Sequence, residues 1–292
     1  MILIGLRSNE KLMELNDLLT RYASGERVFT KQNFSQLHIS GVNLTGAILR
    51  DSNFTATNLS VAYLRRVDFR GADLKGADLR GSYLKGADLR GADLRWADMG
   101  GTDISQSLYN MQTQFPEGFD PKVMRAYFIS PDSDLSNAFL MGVDFRWTKL
   151  THCNLSGSYL AHADLRSADL SQCNLTDADL TAALWDPQTQ FPAGFEPNSA
   201  GAYAICPGVN LTSAKLSRAN LSGVNLNQVD LTGANLCWAD LSRTTLREAN
   251  LTDANLKQAN LVGADLRAAN LTRTCLDGTD LRGAIMPDYQ TD

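Results

Sequence analysis

The sequence predicts an all-β solenoid, a chain wound into a continuous coil. Two observations predict it. An apolar residue recurs at every fifth position, and a small residue recurs two positions before each of them. The apolar column runs from Phe34 to Ile104, resumes one residue out of phase from Leu135 to Leu180, and slips by one again from Leu211 to Leu281, in blocks of 15, 10 and 15 positions. On an α-helix a step of five rotates the side chain by about 140°, which would smear the column around the cylinder. On a straight strand an odd step alternates faces, so half of the column would meet water. A chain that turns one corner per pentad keeps every fifth side chain inside.

Each pentad follows from this. A spacing of two puts the small and the large residue on one face of a short extended side. The expected core centres include Leu74, Leu79, Leu84, Leu89, Leu155, Leu175, Leu236 and Leu256, and the expected small inward residues include Ala72, Ala92, Cys153, Cys173, Ala234 and Ala254. The Asp or Asn between them, as at Asp73, Asp78, Asn250 and Asn255, then points outward. The remaining two positions are polar or Gly, as in Arg70-Gly71 and Lys75-Gly76, and Gly suits a tight corner. Three or four such sides would close a coil.

The run Gly71-Ala72-Asp73-Leu74-Lys75-Gly76-Ala77-Asp78-Leu79-Arg80 resembles the A-(D/N)-L-x-x signature of the pentapeptide-repeat family, and the resemblance covers about 200 of the 292 residues. It implies a right-handed quadrilateral parallel β-helix, with four pentads per coil. Right-handed winding is also the default for parallel crossovers. Forty repeats then make about ten coils, a rod of roughly 48 Å at a spacing of about 4.8 Å per coil.

Residues 1–28 read as an N-terminal arm and a capping helix, 29–286 as the repeat coil, and 287–292 as a tail. Leu12, Leu15, Leu19 and Tyr22 recur at helical spacing, Ser8 can cap the start and Gly25 can end the helix. A first coil has an open apolar end and unpaired edges, which a helix can cover. Residues 18–27 also resemble the short helix that precedes the repeats in cyanobacterial members of the family. The opening Met1-Ile2-Leu3-Ile4-Gly5-Leu6 reads as a strand or arm, too short for a signal peptide.

Two inserts, at about 105–133 and 181–209, separate the blocks, and they are copies. Gln112-Thr113-Gln114-Phe115-Pro116-Glu117-Gly118-Phe119-Asp120-Pro121 matches Gln188-Thr189-Gln190-Phe191-Pro192-Ala193-Gly194-Phe195-Glu196-Pro197, and Tyr127 matches Tyr203. Ile104 to Leu135 and Leu180 to Leu211 both span 31 residues, one more than six pentads, so each copy breaks register. Their Pro and Gly content predicts excursions from the coil. Phe115, Phe119, Tyr127, Phe191, Phe195 and Tyr203 either pin these excursions flat or form recognition loops. Segments of the TQFPxGF kind also resemble inserts in cyanobacterial pentapeptide proteins.

The formal net charge is −5 with 43% apolar residues, and no stretch approaches the roughly 20 apolar residues of a membrane helix. The expected location is cytoplasmic, and the five cysteines agree with a reducing compartment. Cys153 and Cys173, 20 residues apart at the small inward position, read as stacked core residues; a disulfide or metal pair is the alternative. Cys237 and Cys275 fall at outward positions. His38 lies in the outward Asp/Asn column, and His152 and His162 lie at corners on opposite sides of a four-sided coil. There is no phosphate-cradling glycine motif and no zinc or calcium spacing. No catalytic residue, metal or cofactor is expected, and the chain reads as a non-enzyme.

The functional reading is a non-catalytic protein–protein interaction scaffold or regulator, with another protein as partner, no membrane, and a monomeric state. The resemblance supplies an alternative, a DNA-mimicking modulator of a type II topoisomerase (gyrase). Quinolone-resistance members of the family dimerise through a C-terminal element that has no counterpart in Ala284-Ile285-Met286-Pro287-Asp288-Tyr289. Charge by block speaks against a full-length mimic. Residues 60–98 carry eight Lys/Arg against six Asp, 131–186 three against eight, and 211–281 seven of each sign. In the basic stretch each cation two residues beyond an Asp is expected to join a solvated charge lattice worth little per pair. A net of +2 without aromatic interleaving disfavours direct nucleic-acid binding. Trp96, Trp147 and Trp238 are expected at corners, at least partly exposed.

Overall fold

A computed structural model describes residues 12–287, in two compact units, Met1–Phe139 and Leu140–Asp292. Each is wound as a coil whose turns join through single-residue parallel bridges 20 residues apart. In the first unit Asn33 bridges Asn53, Asn53 bridges Asp73 and Asp73 bridges Asp93; in the second Asn210 bridges Asp230 and Asp230 bridges Asn250. Four pentads therefore make one turn, and the three-sided alternative is eliminated.

The backbone of one pentad shows why the pattern repeats. Ala72 N–H donates to the carbonyl of Phe69 (2.9 Å), closing the corner behind it. Asp73 N–H donates to Ser52 on one neighbouring coil (2.9 Å), and Leu74 and Gly76 donate to Asp93 and Arg95 on the other (2.8 and 3.0 Å). The fifth donor, Lys75 N–H, reaches neither coil and is taken by Oδ1 of Asp73 (3.1 Å). The outward Asp/Asn column is thus a turn cap that completes the hydrogen bonding of each side. The same contact recurs from Asn33 with Ser35 to Asp280 with Arg282. The corner residue, two after the core centre, adopts positive φ: Gly71 at 65°, but also Val61 at 51° and Trp96 at 61°.

The interior is dry and stacked. Leu74, Leu79, Leu84, Leu89, Leu155, Leu236 and Leu256 are fully buried and Leu175 nearly so, as are Ala72, Ala92, Cys153, Cys173, Ala234 and Ala254. Phe34 stacks on Phe54 at 4.6 Å between ring centres, and Phe54 meets Phe69 edge-on at 5.2 Å. Threonines at the small position donate to a core carbonyl 23 residues back, as Thr57 does to Phe34 (2.8 Å) and Thr244 to Leu221 (2.8 Å). Cys173 makes the same contact with Leu150 through Sγ. Ser82 instead donates to Leu79 within its own coil (2.6 Å), and among the described residues the buried hydroxyls of Ser107 and Ser158 have no partner. A contact to Cys153, together with burial, pushes the Cys173 thiol pKa up. Both cysteines are free thiols.

The helix differs from expectation. It covers Leu15–Ala23 (α1) and does not extend back through Leu12, which bridges Asn33 while Met13 N–H donates to the Asn33 carbonyl (2.8 Å). Pairing with the coil holds Leu12–Glu14 extended. Leu18, rather than Leu15 or Leu19, is the side chain fully buried against the core, joined by Met13. Tyr22 donates its hydroxyl to the carbonyl of Thr45 (2.8 Å), and Gly25, at φ 101°, follows the helix end. The expected arm at 1–6, the Ser8 cap and the tail beyond Pro287 lie outside the described residues.

The inserts depart from the coil less than their Pro and Gly predict. Leu108–Tyr109 (β1) pairs in parallel with Tyr127–Phe128 (β2), and Leu184–Trp185 (β3) with Tyr203–Ala204 (β4), so both ends of each insert stay in the ladder. The one-residue slip can be located. Inward residues run Ile104, Tyr109, Phe115, Ile129, Leu135 in one copy and Leu180, Trp185, Phe191, Ile205, Leu211 in the other, with steps of 5, 6, 14 and 6. Two long steps each add a residue, and the passage of 14 is one short of three pentads. The first long step is a turn in which Thr113 Oγ1 donates to Leu89 O (2.9 Å) and accepts from Asn110 N–H (3.1 Å). Thr189 and Asp186 repeat it, with Leu165 O at 3.0 Å.

Candidate interaction surfaces

The insert aromatics are half-buried and spent largely on each other. Phe115 stacks on Phe119 (5.3 Å) and meets Tyr109 edge-on (5.7 Å); Phe191 stacks on Phe195 (5.3 Å) and meets Trp185 edge-on (6.0 Å). Phe115 and Phe119 also pack on the core of the first unit. The Tyr127 hydroxyl accepts from Phe139 N–H and that of Tyr203 from Lys215 N–H, each at 3.4 Å. What the first copy exposes is Met111, Val123 and Met124.

The charged side chains form ladders. In the first unit Asp68 accepts from Arg70 (2.9 Å) and Arg50 (2.5 Å), and Asp88 accepts from Arg90 (2.6 Å) and lies 3.4 Å from Arg70. Burial would raise the Asp68 pKa, but the two guanidinium groups hold it lowered. The expected solvated lattice fails at the upper end, because Asp88 and Arg90 are buried, as are Asp164 and Arg166 in the second unit. Both pairs sit directly beneath an insert: Asp88 bridges Leu108 and Asp164 bridges Leu184. Arg80–Asp78, beneath a regular coil, stays in solvent, while Arg95 remains half-exposed although its Asp93 also bridges the insert at Gln114.

In the second unit a groove of about 390 Å³ is lined by Arg146, Trp147, Asp186, Cys206, Pro207 and Asn225 among others. Its charges are committed: Arg146 binds Asp144 (2.7 Å) and Asp164 (3.3 Å), and Arg166 binds Asp164 (2.6 Å) and the carbonyl of Asn220. Asp186 takes the N–H groups of Ser167 (2.8 Å) and Gln188 (3.2 Å). The Ser167 hydroxyl also donates to Asp186 (3.0 Å), but no histidine or lysine lines the groove to join that pair. Among the described residues no group of His, Cys, Asp and Glu could hold a metal ion, and no helix is long and apolar enough to cross a membrane.

Trp96 and Trp147 stand at corners, 74% and 71% exposed, each beneath an arginine of its own pentad (Arg95 at 5.3 Å, Arg146 at 5.0 Å), and Trp238 is less exposed. The basic stretch does contain aromatic interleaving. Tyr63 and Tyr83 take the place of Asp in successive coils and stack at 5.2 Å. Their 20-residue spacing was the available signal, visible once four pentads per turn is established.

The family model for pentapeptide repeats matches eight copies, over residues 33–71, 68–106, 144–181, 204–243 and 249–286. No curated protein matches. Among solved structures, HetL, a pentapeptide repeat protein involved in heterocyst differentiation regulation in the cyanobacterium Nostoc sp. strain PCC 7120, is 29% identical over 94% of this chain and 98% of its own, with a TM-score of 0.32. The pentapeptide repeat protein alr5209 of Nostoc PCC 7120 is 30% identical over 40% of this chain and 97% of its own, with a TM-score of 0.40. QnrB1, a plasmid-mediated fluoroquinolone resistance protein, is 16% identical over 90% of this chain and 85% of its own, with a TM-score of 0.26.

Proposed function

Since the chain belongs to the pentapeptide-repeat family, we propose that it is a non-catalytic protein–protein interaction scaffold, a right-handed coil of about ten turns whose N-terminal helix covers the first. The observation that carries this reading is the commitment of its polar groups to the fold. The outward Asp and Asn hold their own turns, the buried carboxylates hold arginines, and the groove of the second unit holds no convergent chemistry. What varies from coil to coil is the outer ladder, which suits recognition of another macromolecule. A cytoplasmic location and a monomeric state belong to the same reading.

The topoisomerase alternative draws less support. A mimic of duplex DNA needs free, regularly spaced negative charge. In the acidic 131–186 segment, Asp144 and Asp164 are neutralised by Arg146 and Arg166.

Cross-linking followed by affinity capture from the native cell tests the scaffold. A stoichiometric protein partner is expected; capture of none, or turnover of a small molecule by the purified chain, would overturn it. A supercoiling assay with a bacterial type II topoisomerase tests the alternative, and no effect at micromolar protein removes it.

A further inference from the structure

We propose that the face of the first unit carrying Tyr63, Tyr83, Arg65, Arg66, Lys85 and Arg125 docks a carboxylate-rich, extended segment of a partner protein. The proposal rests on the scaffold reading and names the chemistry of its partner.

The face is an exception to the rule that governs its neighbours. Elsewhere in residues 60–98 an Asp clamps the cation two residues on: Asp68 with Arg70 (2.9 Å), Asp73 with Lys75 (2.8 Å), Asp78 with Arg80 (2.7 Å), Asp93 with Arg95 (2.7 Å). On this face tyrosine stands where the Asp would be. Arg65 and Lys85, two residues beyond Tyr63 and Tyr83, have lost the carboxylate that would hold them. Among the described residues no ion pair includes Arg65, Arg66, Lys85 or Arg125. Arg65, Arg66 and Arg125 are exposed and Lys85 half-exposed.

The cations are also in register. Arg66 N–H donates to the carbonyl of Lys85, Gly86 N–H to Ser105, and Gln106 N–H to Arg125 (3.1, 2.9 and 2.9 Å). Arg65, Lys85, Ser105 and Arg125 therefore climb one column, which spans about 14 Å over three coil steps. An extended segment of four to five residues covers that length at about 3.3 Å per residue. Beside the column, Tyr63 and Tyr83 are 49% and 45% exposed and held nearly parallel, 15° apart. Stacking has already restricted both rings, so they offer contact area at little further entropic cost. Unpaired guanidinium groups recognise carboxylates through two-pronged hydrogen bonds without first breaking an internal pair.

The ring geometry favours protein over single-stranded nucleic acid. Nucleobases bind by stacking on a free aromatic face. Here the two rings stack on each other, so one face of each is already covered. Asn43 and Asp103 flank them in the same column, above and below the pair, so neither outer ring face is open along the axis.

A fluorescein-labelled octaglutamate peptide, titrated by anisotropy at low salt, tests the proposal, with a twelve-residue oligothymidylate as the competing probe. Wild type is expected to bind the peptide and to lose at least tenfold in affinity in R65S/K85S. It should lose as much in Y63D/Y83D, which removes no cation but restores the missing clamps. R273S, which removes a cation of the second unit, should bind as wild type. Circular dichroism melts establish that the variants are folded. Peptide binding that is absent, or equal in wild type and both double variants, overturns the proposal. So does oligothymidylate binding that is tighter than peptide binding and lost in the same variants. A native partner captured equally by wild type and R65S/K85S overturns this face while leaving the scaffold reading intact.

Discussion

At the level of single residues, two positions in the pentad carry constraints that composition hides. The Asp/Asn position is held by a hydrogen bond to the backbone before it is used for charge. Asp73→Asn keeps an acceptor for Lys75 N–H and loses only the ion pair with Lys75, whereas Asp73→Ala orphans the donor. The alanine variant should cost about 1 kcal/mol, as for loss of a cap, and the asparagine variant a small fraction of that. Equal losses by denaturant titration would mean that charge matters more than the cap. The corner position carries the opposite lesson. Val61 is a β-branched residue at φ 51° with its side chain largely in solvent. Left-handed backbone costs a non-glycine residue about 1–2 kcal/mol, of which glycine's greater freedom in the unfolded chain returns about 0.5–1. Val61→Gly should therefore raise stability by about 0.5–1 kcal/mol, read as a higher melting temperature. A lower melting temperature would show that Val61 packs on its neighbours more than its exposure indicates.

At the level of the coil and its inserts, much of the architecture was legible and some was not, for physical reasons. The period of five places Leu74 and Ala72 inside because only one geometry keeps them there, and burial follows with no knowledge of neighbours. The number of sides did not follow, because closure at three or four depends on the corner angle and not on the period. The register slip was countable at 31 residues, but its location depends on Thr113 and Asn110 reaching Leu89 and Gly91, contacts between residues about 20 apart that no local pattern announces. The burial of Arg90 was hidden for the same reason, since it needs the insert one coil above. That burial separates two chemically identical pairs. Arg90→Ala leaves the enclosed Asp88 carboxylate with only the longer contact to Arg70 (3.4 Å) and should cost about 3 kcal/mol, the low end for breaking a buried pair. Arg80→Ala breaks the same i, i+2 contact in solvent and should leave the melting temperature unchanged. Parallel melts of the two variants decide the matter, and equal shifts would remove the role given to the insert.

At the level of the whole molecule, the carboxylates set the pH range of stability. Arg267, and after it Arg247, hold the Asp265 pKa well below the usual carboxylate range. Asp78 and Asp93 are lowered by Arg80 and Arg95, and Asp68 by Arg70 and Arg50 against the cost of its burial. A carboxylate whose folded pKa lies below its unfolded value of about 3.9 binds a proton more readily in the unfolded chain. Its stabilising contribution is complete above that unfolded value and is lost as pH falls towards and through the folded one. The melting temperature should accordingly be flat from pH 7 to about 5 and fall steadily below about pH 4. Added salt should reduce the acid fall for the exposed pairs more than for Asp68, which its ladder encloses. Substituting Asp68→Asn should lower stability at pH 7 and flatten the acid limb, since the variant has one fewer proton to take up. A loss of stability between pH 7 and 5 would contradict the charge ladders as the source of pH dependence.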